Sequence, residues 1–265
     1  MSMKCFCGAD LNLNNVYFSS GEVDFINCSI CDLVIRKEFP SNSELKKIYQ
    51  NSYSSENIVR NSTNQCSGNY SDTVYFNFIN NKLEGYDNTV LDFGCGTGHL
   101  ISLLKPFYPK SYGVEFSKSA RKFSLEAYKL TISEDINNFP NEFFDFVSAI
   151  EVIDHLTDLS SLSCVLKKIK PGGSMLVTTP NRNSFRALIE GGNWREAKKK
   201  FHLVLFDSKS LHYHLKKIGF VDIRQIRFSP VQRPGLKFFI YTRLTQLLGI
   251  GGTLCFICKV PECKV

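Results

Sequence analysis

The sequence predicts an α/β fold: a doubly wound, mostly parallel sheet of seven strands, preceded by a small N-terminal β subdomain. From Thr89 onward, strand-like and helix-like stretches alternate, as they do in βα units around a parallel sheet. The first of these strands runs into a glycine-rich turn, which is typical of a ligand-binding βα unit. Residues 143–150 are nearly all apolar, which indicates a strand buried on both faces. Two close cysteine pairs within the first forty residues mark the N-terminal subdomain.

Composition sets broad limits on function. The 265 residues allow one medium-sized domain with a small appendage, and the hydrophobic content of 43% is ordinary for a globular protein. No signal-like segment or uncharged apolar run of about 18 residues occurs, so we expect a soluble, cytoplasmic protein. The formal net charge of +7 favours an anionic partner. That partner is a nucleotide-linked or phosphorylated substrate, nucleic acid or a membrane surface, and charge alone does not choose among them.

The predicted elements suggest three units along the chain. Residues 1–40 form the β subdomain, residues 41–88 a helical segment with a polar loop, and residues 89–265 the α/β domain. Within 41–88, Ser41 and Glu44 form a capping-box pattern at the start of a helix. The seven predicted strands are residues 89–91, 112–115, 130–132, 143–150, 174–178, 220–227 and 253–260, the last one antiparallel. A Lys-Pro-Gly-Gly turn at residues 170–173 is expected to precede the fifth strand.

The turn after the first strand carries the ligand prediction. Residues 90–100 read VLDFGCGTGHL, with glycines at alternate positions that let a ligand approach the backbone closely. This spacing differs from the G-x-G-x-x-G of dinucleotide-binding enzymes. Asp92 would repel a pyrophosphate and attract an ammonium group, while Glu115, at the end of the second strand, is placed to hold a ribose diol. An acid for an amine and an acid for a ribose suit S-adenosylmethionine.

The motif D-x-G-C-G-T-G resembles a signature of the class I S-adenosylmethionine-dependent methyltransferases. The resemblance implies this cofactor, and an acid after the third strand that binds the adenine amino group beside a residue that packs on the ring. Asp135 and Ile136 occupy those positions, although Asp135 also suits a solvated loop. The predicted cofactor-binding residues are Asp92, Gly94, Cys95, Gly96, Gly98, His99, Glu115, Phe116, Asp135, Ile136 and Glu151.

The chemistry is expected at the end of the fourth strand. Methyl transfer is an in-line displacement that needs proximity and, for a hydroxyl acceptor, a base. His155 is the first candidate, because imidazole titrates near neutrality, and Asp154 lies beside it in the chain. The acid-x-x-acid-His pattern is also similar to that of ubiquinone-type O-methyltransferases. That resemblance implies that Glu151, Asp154 and His155 hold a divalent cation instead; a helix cap with a packed histidine is the structural alternative.

A later segment resembles one branch of the same family, with a P-N motif, a Gly- and Trp-bearing insertion and an H-L-x-x-F-x-x-x-S-L motif. The similarity runs from about Leu45 to Pro261. His202 opens the last motif and is the second candidate base. Arg182 is a candidate ligand for an acceptor phosphate, although a solvated basic face fits equally well. His212 and His214 are expected to be surface or packing residues.

The cysteine pairs of the N-terminal subdomain predict a structural zinc site. Cys5, Cys7, Cys28 and Cys31 can present four thiolates tetrahedrally, and a metal would supply folding energy that so short a segment lacks. The C-x-C spacing of the first pair is tighter than usual, so four unligated cysteines in a reduced hairpin are the alternative. Zinc ribbons of this kind precede the methyltransferase domain in a group of bacterial enzymes that the chain resembles.

Three functions compete. The first is a methyltransferase for a small, anionic or nucleotide-linked acceptor, with O-methylation of a sugar or natural-product hydroxyl as the expectation by analogy. The second is an RNA or other nucleic-acid methyltransferase, against which the lack of an N-P-P-Y motif and of long basic runs argues. The third is a non-catalytic scaffold that binds the cofactor. Residues 234–250 are expected to form an amphipathic helix with a basic side, which suits the core, a dimer contact or weak binding to a membrane surface.

Overall fold

A mixed sheet of six strands forms the centre of the fold. The computed structural model describes residues 3–41, 43–45, 47–48, 70–227 and 236–262. The strands of this part of the chain are β1 (Val16–Ser20), β2 (Val23–Asn27), β3 (Val34–Arg36), β4 (Val90–Phe93), β5 (Ser111–Val114), β6 (Phe144–Ile150), β7 (Ile169–Pro180), β8 (Val204–Leu205), β9 (Val221–Gln225) and β10 (Thr253–Lys259). The central sheet has the order β5-β4-β6-β7-β10-β9. Its first four strands are parallel, and β10 is antiparallel to both β7 and β9. The predicted doubly wound α/β sheet is therefore confirmed.

Helices connect the strands in the alternating pattern that the sequence predicts. They are α1 (Tyr70–Asn80), α2 (His99–Leu104), α3 (Lys118–Tyr128), α4 (Ser160–Lys168), α5 (Phe185–Glu190), α6 (Arg195–Lys198), α7 (Ser208–Ile218) and α8 (Leu236–Leu247). Before α1, residues 43–45 and 47–48 are also helical. There the predicted capping box is present: the Ser41 backbone N–H donates to the Glu44 carboxylate, and the Glu44 N–H donates to the Ser41 hydroxyl. The polar loop predicted after this helix lies outside the described residues.

The prediction of seven strands is wrong by one. Residues 130–132 pack apolar side chains into the core, but the chain pairs with β5 only through a single bridge between Val114 and Ser133. The Ser133 hydroxyl then donates to the Asp135 carbonyl, so the chain turns away before a ladder can form. The predicted turn at residues 170–173 lies inside β7, where the pairing with β6 is irregular between Phe144 and Phe146.

The N-terminal β structure shares a sheet with the α/β domain. This second sheet has the order β1-β2-β3-β8, and Val34 of β3 pairs with Leu205 of β8. The Arg36 N–H extends the contact by donating to the Leu203 carbonyl. Because β8 lies between β7 and α7 in the chain, the N-terminal segment is attached to the domain by backbone pairing. The boundaries predicted at residues 40 and 88 stay a prediction.

The last helix, α8, turns an apolar face outward. Five of its large apolar side chains are exposed: Leu236, Phe239, Ile240, Leu244 and Leu247. Its polar Thr245 is buried instead, and the threonine hydroxyl lies within hydrogen-bond distance of the Tyr241 carbonyl. The predicted helix is confirmed here, with its apolar side toward solvent. Within the described ranges, no helix has both the length and the apolar character that crossing a membrane requires.

Candidate functional site

The glycine turn between β4 and α2 adopts backbone conformations that favour glycine. Gly94, Gly96 and Gly98 have φ angles of 76°, 54° and 78°. A Cβ at Gly94 would lie 2.4 Å from Val152 Cγ2, and one at Gly98 would lie 2.5 Å from Ser124 Oγ. Both the backbone angle and the neighbouring atoms therefore exclude larger residues. The turn presents bare backbone at the carboxyl end of β4, where α/β sheets bind ligands.

Asp92 places a buried carboxyl beside this turn. It lies in β4, and one of its oxygens accepts a hydrogen bond from Ser148 Oγ at 2.8 Å. Burial raises the pKa of the Asp92 carboxyl to about 7, an effect that the serine hydrogen bond partly offsets. Removing the carboxyl from water costs free energy that a cationic ligand group can recover. Asp92 is thus suited to bind an ammonium group.

Glu115 holds the turn against the end of β5. Its Oε2 accepts from the Gly96 N–H at 2.9 Å, and its Oε1 accepts from the Ser117 N–H at 2.7 Å. Burial raises the pKa of this carboxyl, while the two backbone donors counteract the rise. Each carboxylate oxygen keeps a second lone-pair direction. Glu115 can therefore accept hydrogen bonds from a diol without losing its own supports.

The residues predicted at the adenine lie after β5 and after the bridge at Ser133. Phe116 is exposed, Ile136 is buried, and Asp135 is exposed at the start of a short 3-10 helix, Ile136–Asn138. The Asp135 carboxylate accepts from the backbone and side-chain N–H groups of Asn137 at 2.9 and 3.0 Å. The adenine roles of these residues stay a prediction.

The remaining predicted cofactor residues of the turn are Cys95 and His99. Burial raises the pKa of the Cys95 thiol well above its usual range, so it stays neutral. His99 Nδ1 lies 2.7 Å from Asp72 Oδ2 of α1. His99 therefore ties α1 to the first turn of α2, and its contact with a cofactor stays a prediction.

Glu151, at the end of β6, has a strained backbone. Its φ of 54° is unusual for a residue other than glycine, and strain of this kind persists where surrounding contacts fix it. The Glu151 N–H donates to the Thr178 carbonyl at 3.0 Å, and the Thr178 hydroxyl donates to Glu151 Oε1 at 3.4 Å. Burial, and then the nearby carboxylate of Asp154, raise the pKa of Glu151 to about 8. A neutral carboxyl at this point can donate as well as accept a hydrogen bond.

Asp154 lies between two histidines. Its Oδ2 is 3.1 Å from His202 Nε2 and 3.4 Å from His155 Nε2, and its Oδ1 accepts from the Thr179 hydroxyl at 3.2 Å. Burial alone would raise the pKa of this carboxyl, but His155 and then His202 outweigh burial and lower it. A charged Asp154 can orient both imidazoles.

The two histidines differ in access. The ring centroids are 5.0 Å apart, but the side chain of His155 is 23% exposed and that of His202 only 2%. Burial lowers the pKa of His202 to about 4, although Asp154 opposes the shift. On its other side, His202 Nδ1 lies 3.8 Å from the Glu196 carboxylate. His155 can meet an incoming molecule, whereas His202 is held inside.

The same side chains form a candidate cation site that differs from the predicted trio. The ligand atoms of Asp154, His155 and His202 lie within 4.8 Å of one another. Glu151 does not belong to this group, because it is turned toward Thr178. The sequence separation of His202 from the other two explains why the pattern at the fourth strand did not include it.

Comparison with known proteins now decides the family. A family model described as "Methyltransferase domain" matches residues 63–225, more than half of the chain. The chain belongs to this family. The identification as a class I S-adenosylmethionine-dependent methyltransferase is thereby confirmed at the level of family and fold.

Curated relatives and solved structures agree with the assignment. The chain is 37% identical over 117 residues to a ubiquinone biosynthesis O-methyltransferase of Bradyrhizobium sp. (strain ORS 278), covering 40% of this chain and 46% of the relative. The enzyme of the same name from Vibrio atlanticus is 29% identical over 66% of this chain and 76% of the relative. The matched segment thus spans about half the length of the first relative.

The structural similarity extends over more of the chain. A SAM-dependent methyltransferase from Thermotoga maritima aligns with a TM-score of 0.57 at 18% identity, over 80% of this chain and 98% of that one. The phosphoethanolamine N-methyltransferase 2 of Haemonchus contortus gives 0.57 at 17% identity, over 86% and 63%. Identities this low show the fold alone.

The four cysteines of the N-terminal β structure form a second candidate metal site. Cys5 Sγ lies 3.4 Å from Cys31 Sγ, Cys7 Sγ lies 3.6 Å from Cys28 Sγ, and all four sulfurs are within 4.8 Å of one another. Four thiolates at Zn–S distances of 2.3 Å would be about 3.8 Å apart in a tetrahedron. The sulfur spacing therefore fits zinc, despite the short C-x-C pair.

Arg182, a candidate acceptor ligand, is engaged within the protein. Its guanidinium lies 2.5 Å from Asp207 Oδ2 and donates to the Asp32 carbonyl at 2.9 Å and the Tyr17 hydroxyl at 3.2 Å. It thereby links the N-terminal sheet to the start of α7. Because the guanidinium already contacts three groups of the protein, the geometry does not support the predicted phosphate contact.

Several site residues were not predicted from the sequence. Ser148 and Thr178 support Asp92 and Glu151, and Glu196 faces His202. The sequence indicates them only by position: Ser148 is one of two polar residues in a mostly apolar strand, and Thr178 lies two residues before the P-N motif. The sequence did not indicate Glu196, because its contact with His202 forms only when the Gly- and Trp-bearing insertion is folded.

Proposed function

We propose that this methyltransferase transfers a methyl group from S-adenosylmethionine to a hydroxyl oxygen of a small molecule. The observation that carries the proposal is that an acidic cradle and a carboxylate–histidine pair lie at the ends of neighbouring strands. Asp92 and Glu115 form an acidic cradle at the glycine turn, and the Asp154–His155 pair comes after β6, the strand next to β4. The name of the curated relatives, O-methyltransferase, supports oxygen over nitrogen or carbon as the acceptor atom.

The cradle fits the donor by its chemistry. A carboxylate at Asp92 matches the α-ammonium group, and the Glu115 carboxylate matches a ribose diol. S-adenosylmethionine would supply a methyl group on a sulfonium centre. The chain's own residues would bind its ammonium group at Asp92 and its ribose at Glu115, and the glycine turn would let the ligand approach the backbone.

His155 is the base in this proposal. It would accept the hydroxyl proton of the acceptor as the new C–O bond forms and the methyl–sulfur bond breaks, which leaves a methyl ether and S-adenosylhomocysteine. Asp154 would hold the imidazole in place and stabilise its positive charge. His202 would act through Asp154 as a positioning residue, because it is buried and its pKa is lowered.

The group Asp154, His155 and His202 also fits a divalent cation, since two imidazoles and a carboxylate are a common ligand set. Such an ion would polarise an acceptor oxygen and lower the pKa of its hydroxyl. The two roles are distinguishable: turnover that survives exhaustive chelation and falls on His155 replacement assigns the histidine as the base.

The acceptor is proposed to be a sugar or natural-product hydroxyl, carrying an anionic or nucleotide group that suits the net charge of +7. The test is a screen in which a labelled methyl donor is offered with pools of nucleotide sugars and of phenolic acids. Label in a methyl ether supports the proposal. Label only in RNA, together with salt-sensitive retention on heparin, would establish the nucleic-acid alternative.

Cofactor binding can be tested without an acceptor. We expect S-adenosylhomocysteine at 100 times its Kd to stabilise the protein by about 2.7 kcal/mol, seen as a higher Tm. An unchanged Tm, with no heat on titration, would contradict both enzyme functions and the scaffold that binds the cofactor. A higher Tm with no product from any acceptor pool would favour the scaffold.

The N-terminal site is proposed to hold one structural zinc per chain. We expect Cys28→Ser to lose the metal and to lower the Tm, because one of four thiolates is removed and metal binding contributes to folding. Elemental analysis of the purified chain measures the metal. Cys164→Ser is the matched control, since Cys164 is a free, partly buried cysteine of α4 outside the group. A wild-type chain with no zinc and an unchanged Tm in Cys28→Ser would remove the site.

Weak contact with an anionic membrane surface is proposed for the outward face of α8. The helix carries Lys237 and Arg243 and no acidic residue, so its charge would favour anionic lipids. We expect co-sedimentation with phosphatidylglycerol vesicles that Leu244→Glu weakens. Leu125→Glu on α3 is the control, because Leu125 has the same exposure of 54%. Equal sedimentation of both variants would contradict the contact.

A further inference from the structure

His214, on α7, is a buried histidine that the proposed reaction does not use. Its side chain is 1% exposed, and neither ring nitrogen has a hydrogen-bond partner within the part of the chain that the structure describes. A buried polar group without a partner is uncommon in native proteins and calls for a specific explanation. The exposed His212 of the same helix, by contrast, needs none.

The ring of His214 lies against the four-cysteine group. Phe6, which separates Cys5 from Cys7 in the chain, meets the His214 ring edge-on at 6.4 Å between centroids. Cys31 interacts with the imidazole of His214 as well as with Cys5, which places the ring beside the Cys31 sulfur. His214 is not itself one of the grouped ligands, which are the four cysteines.

A second residue of α7 faces the same site. Lys217, one turn after His214, donates a hydrogen bond to the backbone carbonyl of Cys7. Residues three apart lie on the same side of a helix. One side of α7 therefore directs an imidazole and an ammonium group at the cysteines.

The net negative charge of a four-cysteine zinc site explains why an imidazole and an ammonium group are needed beside it. Four thiolates around one Zn²⁺ leave a net charge of −2, and Cys5, Cys28 and Cys31 are buried. A buried anion is tolerated where hydrogen-bond donors and opposite charges surround it. Outer hydrogen bonds to metal ligands also fix the ligands and tune metal affinity.

We propose that His214 donates an N–H hydrogen bond to the sulfur of Cys31 and is the outer-sphere residue of a zinc site. α7 thereby holds the metal centre on the methyltransferase domain, with Lys217 as its second contact. The inference rests on the proposal that the cysteines bind zinc. It does not depend on the identity of the methyl acceptor. The four cysteines remain the metal ligands.

The test compares three variants of the zinc-loaded full chain. His214→Phe keeps an aromatic ring and removes the N–H, His214→Gln keeps a donor, and His212→Phe makes the same change on the exposed side of α7. Zinc release to 4-(2-pyridylazo)resorcinol gives the apparent affinity. We expect His214→Phe to weaken zinc binding about 10- to 100-fold, His214→Gln to recover part of the loss, and His212→Phe to match wild type.

The outcomes separate the two proposals. A wild-type chain that holds no zinc overturns both the zinc site and this role of His214. Zinc bound equally tightly by wild type and His214→Phe overturns only the role of His214. If His214→Phe does not fold, ¹¹³Cd-substituted wild type decides: coupling from the metal through the Cys31 sulfur to an imidazole proton supports the hydrogen bond, and its absence from a resolved His214 spectrum overturns it.

Discussion

Asp92→Asn is expected to weaken cofactor binding by about 30- to 5,000-fold and, at pH 8, to make the ligand-free protein more stable. The carboxyl is buried and its pKa is raised to about 7, so at pH 8 the folded protein holds a charge that the unfolded chain would keep in water. Asparagine removes that cost, by about 2–4 kcal/mol, while it can still accept from Ser148. Loss of the ion pair with the ligand ammonium costs about 2–5 kcal/mol of binding.

The pH dependence has its origin in the same group. Its folded pKa lies above its unfolded value, so Asp92 favours folding below about pH 4 and progressively opposes it as the pH rises toward 7. Ligand binding has the opposite sign, because the ammonium group selects the charged carboxylate. We therefore expect the affinity for S-adenosylhomocysteine to rise from pH 5.5 to pH 7, by up to about tenfold per pH unit, and then to level off.

Calorimetric titration of wild type and Asp92→Asn measures the change in affinity, and thermal unfolding of the same two proteins measures the change in stability. Asp135→Asn is the control, since Asp135 is exposed and makes a local hydrogen bond to Asn137. It should leave the stability at pH 8 unchanged. Wild-type affinity in Asp92→Asn, or affinity independent of pH, would refute the ammonium contact.

The arrangement of the glycine turn and its two acids was predictable because its signals are local. The glycine turn lies within one βα unit, and Asp92 and Glu115 end neighbouring strands, so hydrophobic periodicity and one motif suffice to place them together. The same reasoning failed for residues 130–132. A three-residue apolar run satisfies the pattern of a strand, but a ladder also needs the next residues to stay extended, and the chain turns away at Ser133.

The group of Asp154, His155 and His202 and the four-cysteine group were only partly predictable, since both are assembled from distant segments. Nothing in the sequence shows that β8 pairs with β3, or that Arg182 is already bound to Asp207. The pairing has a consequence for the reaction, because the Leu203 N–H donates to the Asp154 carbonyl at 2.8 Å just before β8 begins. The edge of the N-terminal sheet at β8 is thus next to the residue that orients the proposed base, and the proposed zinc site and Asp154 belong to one framework.

His155→Ala is expected to lower kcat by about 10²- to 10⁴-fold, with the Kd for S-adenosylhomocysteine unchanged. A loss of kcat of this size is expected because His155 would be the base in direct contact with the acceptor. His202→Asn should cause a smaller loss and displace the acidic limb of the pH–rate profile, because Asp154 would lose one of its two imidazole neighbours. The measurement is initial rate against pH on the acceptor that the labelled-donor screen identifies.

A matched pair separates the roles of these histidines. His155→Gln keeps a hydrogen-bonding group of similar reach but cannot accept the proton, so it should be as slow as His155→Ala. His212→Ala, on the exposed side of α7, should retain full activity. If His155→Gln kept wild-type turnover while His202→Asn lost it, the buried histidine would be the base, and the 2% exposure of its side chain would require the insertion carrying Glu196 to open during the reaction. Because both rings face the same Asp154 oxygen through Nε2, this comparison also shows which imidazole Asp154 must orient for methyl transfer to proceed.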